Sequence, residues 1–364
     1  MFTTNYQEIL TLIDQIDPVA YGKTRNYTDG AVTRLSPYIS RGVISTRMIA
    51  STILKKGYDP SQIESFLKEL AWRDYFQQVW IEKGNEIDQD LKQPQPKVSN
   101  YQMPLAITTH STTIEAVDYA ISQLYSHGYM HNHIRMYTAS ICCNLRNSHW
   151  LKPAKWMYYH LLDADWASNA LSWQWVAGSF SNKKYFANQE NINKFCKTNQ
   201  THTFLDGPYE AFEHFSEVAE LNELTTPSLK TKLPEVGALQ INENLPTCIY
   251  NFYNLDNLWL NELDANRILL LAPSFFEKYP VSNKTIDFVM QLATNIKNIQ
   301  YYVGEFETLE KLIAAKPIHY KEHPTNVQYR GNEHQRDWMF KEVKGYFPSF
   351  FAYWKTCSKL SLDA

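Results

Sequence analysis

The stretch from Trp150 to Cys196 constrains the fold of this chain more than any other. Five of its ten tryptophans, at 150, 156, 166, 173 and 175, crowd into the first part of that stretch. Interleaved with them are Asp163, Asp165, Asn169 and Gln174, followed by Asn182 and Asn188. Burying several indole rings beside carboxylates and amides is unfavourable unless the polar groups find partners. Two readings satisfy that condition: an aromatic core, or a site for a large, flat ligand with polar edges, such as a flavin. Asp163 and Asp165 are two residues apart, so they do not share a face of one helix.

The chain has 364 residues, a length that predicts two domains and a substantial core. With 44% hydrophobic and 20% charged residues it has the composition of a soluble globular protein. The formal charge of −3 gives no whole-molecule attraction to nucleic acid, so DNA binding requires a local basic face. Screening beyond about 8 Å at physiological salt removes help from distant charges. Five cysteines (Cys142, Cys143, Cys196, Cys248 and Cys357) are odd in number and lack metal-ligand spacing. They read as reduced thiols of a cytoplasmic protein. His127, His131 and His133 have no neighbouring Glu or Cys to complete a site, and no metal is expected. No apolar run is long enough for a membrane span, and the amino terminus has no basic-then-apolar signal.

Along the chain, apolar spacing predicts helices over 5–17, 40–55, 61–80 and from 112 to about 127. In the second of these, Arg41 and Arg47 are expected to face outward. Residues 21–39 form a loop rich in hydroxyls and basic groups, suited to holding a phosphate through backbone N–H groups, Thr33, Arg34 and Ser36. Residues 84–110 read as an irregular connector. Asn132, Arg135 and Met136 fall at i, i+3 and i+4, so an amide, a guanidinium and a thioether share one helix face, as in a pocket wall. Residues 197–244, with Gly207, Pro208, Pro227 and Pro234, show no sustained period and read as a linker. Beyond it, 247–253, 267–273, 299–304 and 318–322 read as strands, with helices at 285–296 and 308–315. The continuous apolar run Ile268–Ala272 predicts a parallel sheet covered on both faces. An aromatic helix is expected over 338–354.

Several of these segments together resemble the flavin domain of DNA photolyases and cryptochromes. They are Tyr21 with Arg25, Thr33 through Tyr38, Glu69-x-x-Trp72-Arg73, Tyr129 through Met136, and Asp163-Ala164-Asp165 through Asn169 to Trp175. The resemblance spans about residues 15 to 200. It implies an all-helical FAD-binding domain over 1–200; with the linker over 201–244 and the smaller α/β domain with a parallel sheet over 245–364 read from the pattern above, the expected fold is mainly α. Tyr21, Thr33, Leu35 and Ser36 are then expected on the pyrophosphate and ribose side of FAD, with Arg34, Phe66, Arg73 and Asn132 also lining the cofactor. Arg135 and Asp163 are expected to pair against the isoalloxazine, Asp165 to meet its polar edge, and Asn169 to face N5.

By the same resemblance, Glu69, Trp72, Asn132, Met136 and Trp175 surround a pocket for a flipped-out lesion in UV-damaged DNA. Trp173 and Trp150 are the inner members of an electron relay, which Tyr101, Trp156 or neither completes. The implied activity is that of a cyclobutane pyrimidine dimer photolyase; the alternative is a cryptochrome-like photoreceptor that keeps FAD without repair. Arg25, Arg34, Arg41, Lys152, Lys155, Lys183 and Lys184 are candidates for a DNA groove on a monomer. Photolyases normally begin with an α/β domain carrying an antenna chromophore. Here the α/β segment comes last and reads either as a relocated counterpart or as an unrelated appendage; the antenna is left unassigned.

Overall fold

A computed structural model of the chain describes residues 2–212, 218–313 and 317–360. The chain opens with α1 (Tyr6–Asp14), α2 (Pro18–Thr24), α3 (Ser36–Ser40), α4 (Thr46–Lys55) and the long α5 (Glu64–Lys83). Next come β1 (Met103–Pro104), α6 (Leu105–Thr108), α7 (Glu115–His127) and α8 (Asn132–Ser140), which runs into a π-helical turn at Ile141–Leu145. They are followed by α9 (Leu151–His160), α10 (Trp166–Ala177), α11 (Gln189–Cys196), α12 (Tyr209–Phe212) and β2 (Leu224–Thr225). The last third contributes β3 (Thr247–Tyr250), β4 (Asn266–Leu271), α13 (Pro273–Lys278), α14 (Asn283–Ala293) and β5 (Ile299–Val303). It ends with α15 (Phe306–Leu312), β6 (Ile318–Lys321), β7 (Asn332–His334) and α16 (Phe350–Cys357). Among the described residues no helix is long and apolar enough to cross a membrane.

Two compact units share these elements. One comprises residues 1–18, 33–82 and 230–364; the other comprises 19–32 and 83–229. The first therefore combines α1 and α3–α5 with the whole five-stranded sheet, whereas the regular structure of the second is helical apart from the β1–β2 pair.

In the first unit, five parallel strands lie in the order β5-β4-β3-β6-β7. The chain lays β4 and β5 on one side of β3, then crosses to place β6 and β7 on the other. β4 is buried at every position, which is why its sequence NRILLL shows no alternation. On one face Ile249, Ile268, Leu270 and Ile318 pack against Phe306 and Leu309 of α15. The fifth strand, β7, was not legible, since its three residues NEH are polar and partly exposed. The helix expected over 308–315 begins at Phe306, and Ala314 and Ala315 lie outside the described residues.

Several expected boundaries move for local reasons. The helix expected from Ser40 starts at Thr46, capped by the Ser45 hydroxyl, which accepts from the Met48 N–H at 2.9 Å. Gly42 separates it from α3: its φ is +67°, and a Cβ there would lie 2.9 Å from the Tyr253 carbonyl oxygen. Arg41 does not face outward. It is fully buried, with its guanidinium 3.6 Å from the centre of the Phe252 ring and 4.8 Å from that of Tyr253. The aromatic helix expected over 338–354 is confined to α16, because Gly345 (φ +90°) and Pro348 interrupt the preceding turns. The 197–244 stretch is not bare linker: β2 pairs antiparallel with β1, Met103 opposite Thr225.

Asp74 joins three parts of the first unit. Its carboxylate accepts from the Thr46 hydroxyl (3.0 Å) and from the Met339 N–H (2.8 Å). Burial, the largest influence, raises its pKa from 3.8 to about 6 despite those two donors. A carboxyl whose folded pKa lies above its unfolded one stabilises the fold fully below the unfolded value, and this contribution is lost as pH rises through the folded value. The Asp74 contribution to stability is therefore expected to fall between about pH 4 and pH 6, by about 3 kcal/mol at one pKa unit per 1.4 kcal/mol. Asp74→Asn should flatten denaturant midpoints across that range; a variant retaining the wild-type slope would remove Asp74 as its source.

Candidate functional site

The second unit gathers the α8 stripe and the Asp163 turn. His131 caps α8, its ring nitrogen accepting from the His133 N–H. Ile134, Tyr137 and Thr138 are buried, while Asn132 is exposed and Arg135 and Met136 are half-buried. The three residues of the expected stripe thus share α8 and are less buried than Ile134, Tyr137 and Thr138. The Arg135 Nη2 donates to Asp163 Oδ2 at 2.9 Å, and its Nε donates to the Met130 carbonyl at 2.9 Å. Asp163 is buried and Arg135 only partly so, which fixes the guanidinium with one edge available.

The turn after Asp163 is conformationally unusual. Ala164 has φ +23°, outside the regions a side-chain-bearing residue favours. It delivers Asp165 to the amino end of α10, where the carboxylate caps the helix by accepting from the Ser168 N–H (3.2 Å) and hydroxyl (2.7 Å). One turn on, buried Asn169 donates from its amide nitrogen to the Ala154 carbonyl at 2.8 Å. The caps and turns thus occupy part of what Asp165 and Asn169 have to offer a ligand.

The tryptophans divide by burial. Trp150, Trp156, Trp166 and Trp173 are buried, whereas Trp175 is 41% exposed and lies beside Tyr185, ring centres 5.9 Å apart. The connector at 84–91 has a role that the sequence did not reveal. Gln174, fully buried, accepts from the Leu91 N–H and donates to the Ile87 carbonyl, fastening the connector to α10. Asp88 Oδ1 then accepts from Trp166 Nε1 and Asp90 Oδ1 from Trp150 Nε1, each at 2.8 Å. These carboxylates lie 78 and 60 residues from their indoles, and no local pattern marks the pairing.

The first unit holds Thr33–Ser36 and the expected residues of α5. Thr33 Oγ1 accepts from the Leu35 N–H at 3.4 Å, Arg34 adopts φ +54° and is exposed, and Ser36 opens α3. On α5, Phe66 is buried, and Glu69, Trp72 and Arg73 are half-buried. Trp72 carries a partner the sequence did not predict: Phe350 of α16 stacks flat on it, ring centres 3.8 Å apart and planes within 11°. Of the basic candidates, Arg25, Arg34, Lys152, Lys155, Lys183 and Lys184 are at least partly exposed, and Arg41 is withdrawn by burial. Tyr21, on α2, belongs with the α8 stripe in the second unit.

Residues 66–232 match the family model of the FAD binding domain of DNA photolyase. That span is the segment similar to photolyases and cryptochromes. A deoxyribodipyrimidine photo-lyase of Agrobacterium fabrum is 32% identical over 179 residues, 46% of this chain and 37% of the relative. One from Alkalihalophilus pseudofirmus is 35% identical over 148 residues, covering 40% and 31%. A cryptochrome DASH of Ostreococcus tauri is 29% identical over 191 residues, covering 50% and 33%. The chain spans about a third of the length of these curated relatives.

Phe66, Glu69, Trp72, Arg73, Asn132, Arg135, Met136, Trp150, Asp163, Asp165, Asn169, Trp173 and Trp175 lie inside the photolyase/cryptochrome segment; Tyr21 and Thr33–Ser36 precede it. FAD is the cofactor of this domain type. The donor set of the second unit is chemically suited to it: a guanidinium steadied by a buried carboxylate is a donor of the kind that ring carbonyls accept from. On the same helix, Asn132 is exposed and Met136 half-buried.

Proposed function

We propose that this chain binds FAD and uses it to split cyclobutane pyrimidine dimers in DNA under light. The observation that supports this reading best is the Arg135–Asp163 pair, 2.9 Å apart, which joins α8 to the turn before α10 within the photolyase/cryptochrome segment. Bound FAD would supply the light absorption and the electron. Arg135 and Asp163 would hold the polar edge of the cofactor, with Asn169 and Asp165 nearby on α10. Thr33, Arg34, Leu35, Ser36 and Tyr21 would hold its phosphate side, with Phe66 and Arg73 as further contacts. Glu69, Asn132 and Met136 would meet the lesion, and Trp72 and Trp175 would stack on its flipped bases, at about 1–3 kcal/mol per base.

The test is direct. Reduced, purified chain is illuminated with an oligonucleotide carrying a thymine dimer, and restored thymines are counted. Light-dependent restoration supports repair; none, from a chain that has bound FAD, removes the repair reading.

A second reading has one observation in its favour. Phe350 already covers a face of Trp72, as would suit a flavoprotein photoreceptor that binds no lesion there. Retained FAD photochemistry without dimer splitting would decide for it.

A further inference from the structure

The sequence left the outer end of the tryptophan path open between Tyr101, Trp156 and neither. Ring geometry separates them. Trp156 has Tyr125 and His160 as its ring neighbours, 6.2 and 5.9 Å away, all three within one patch of α7 and α9. Trp150 instead adjoins His149, ring centres 5.8 Å apart, and His149 stacks on Tyr101 at 5.2 Å with planes within 28°. Tyr101 is 65% exposed, whereas Trp150 is fully buried. The alignment is built into the backbone: Asn100 bridges Ser148, and the His149 N–H donates to the Asn100 carbonyl at 2.8 Å. A continuous file of rings therefore runs from the interior to solvent.

Asp90 stands beside that file. Its Oδ1 accepts from Trp150 Nε1 at 2.8 Å and lies 3.6 Å from His149 Nε2. A carboxylate on the indole N–H favours an electron-poor indole, because the negative charge offsets the positive charge created when an electron leaves. Trp166, 6.4 Å from Trp150, has the same arrangement with Asp88 but no exposure, so it extends the buried part of the path.

We propose that Tyr101 is the surface electron donor of this chain, reaching Trp150 through the stacked ring of His149, while Asp90 stabilises the electron-poor indole. The inference rests on the FAD reading for its physiological oxidant, since light-excited flavin is what would take the electron from the tryptophan path. In the step itself one electron passes from Tyr101 to the Trp150 radical cation. Trp150 returns to the neutral closed-shell indole, and Tyr101 releases its phenolic proton to bulk water and becomes a neutral tyrosyl radical.

Two measurements test it. In the flavin-free full-length chain, pulsed ultraviolet photoionisation creates indole radical cations; nitrous oxide converts the ejected electrons to hydroxyl radicals, and excess tert-butanol consumes those radicals before they reach the protein. A concentration-independent growth of tyrosyl absorbance is expected in wild type. Tyr101→Phe and Trp150→Phe should each lower its amplitude at least twofold, and the double variant should do no more. Tyr119→Phe, which removes another well-exposed tyrosine, should leave it unchanged. His149→Ala should slow the growth at least tenfold. Asp90→Asn keeps an acceptor for the indole but removes the charge, so Trp150 becomes a stronger oxidant and the growth should accelerate; a merely structural Asp90 would not move the rate. Wild-type amplitude in Tyr101→Phe overturns the proposal.

With FAD bound and no chemical donor, blue-light reduction of the flavin should fall at least fivefold in Tyr101→Phe; an undiminished yield also overturns the proposal. If the chain takes up no FAD, the reading above fails, and photoionisation still decides the role of Tyr101.

Discussion

Asp163→Ala is expected to cost about 3–5 kcal/mol of stability and to yield a purified chain without flavin. The carboxylate is buried and pairs with Arg135 at 2.9 Å, so its removal leaves a guanidinium in a partly desolvated place without its charge partner. The two effects separate in a second variant. Replacing both partners by apolar residues of similar volume, Arg135→Met with Asp163→Leu, should restore most of the stability, since an apolar pair is no worse than a buried ion pair. It should not restore flavin, because the hydrogen-bond donors are gone. Denaturant midpoints give the first quantity and flavin absorbance per chain the second. Flavin retained at wild-type stoichiometry in both variants would dismiss this pair as the cofactor clamp.

Phe350→Ala should uncover Trp72. Phe350 is buried and stacks on the indole at 3.8 Å, so truncation is expected to cost about 3–5 kcal/mol and shift the Trp72 emission toward that of a more exposed indole. Phe350→Leu keeps most of the volume without the flat ring and serves as the milder variant. If Trp72 stacks on a flipped base, removing its competitor should tighten binding of dimer-containing DNA roughly tenfold, within the range known for base–aromatic stacking. Trp72→Ala should abolish that gain. Unchanged affinity in both Phe350 variants, with Trp72→Ala weakening binding, would show that α16 does not compete with DNA. Unchanged affinity in Trp72→Ala would remove Trp72 from the lesion contacts.

Features set by neighbours a few residues apart were legible beforehand. The α8 stripe of Asn132, Arg135 and Met136 follows from the helical repeat. The run of apolar residues in β4 follows from burial on both faces of a parallel sheet. Misreadings occurred where a local signal competed with a distant one. Arg41 was expected in solvent because guanidinium groups are seldom fully buried, yet the rings of Phe252 and Tyr253, more than two hundred positions later, give it an apolar home. Over 338–354 the aromatic content favours a helix, but Gly345 and Pro348 break it, and only α16 forms.

The helical character of the segment that holds the candidate site residues was thus recognisable from the chain alone, along with the parallel sheet that follows. These properties depend on residue type and on spacing within one element. The pairing of Asp88 and Asp90 with Trp166 and Trp150, the Tyr101–His149–Trp150 file, the stack of Phe350 on Trp72 and the fifth strand emerged only in three dimensions. Each joins side chains or strands through packing and hydrogen bonds, whose partners are chosen by proximity in space, and no window of sequence carries that information.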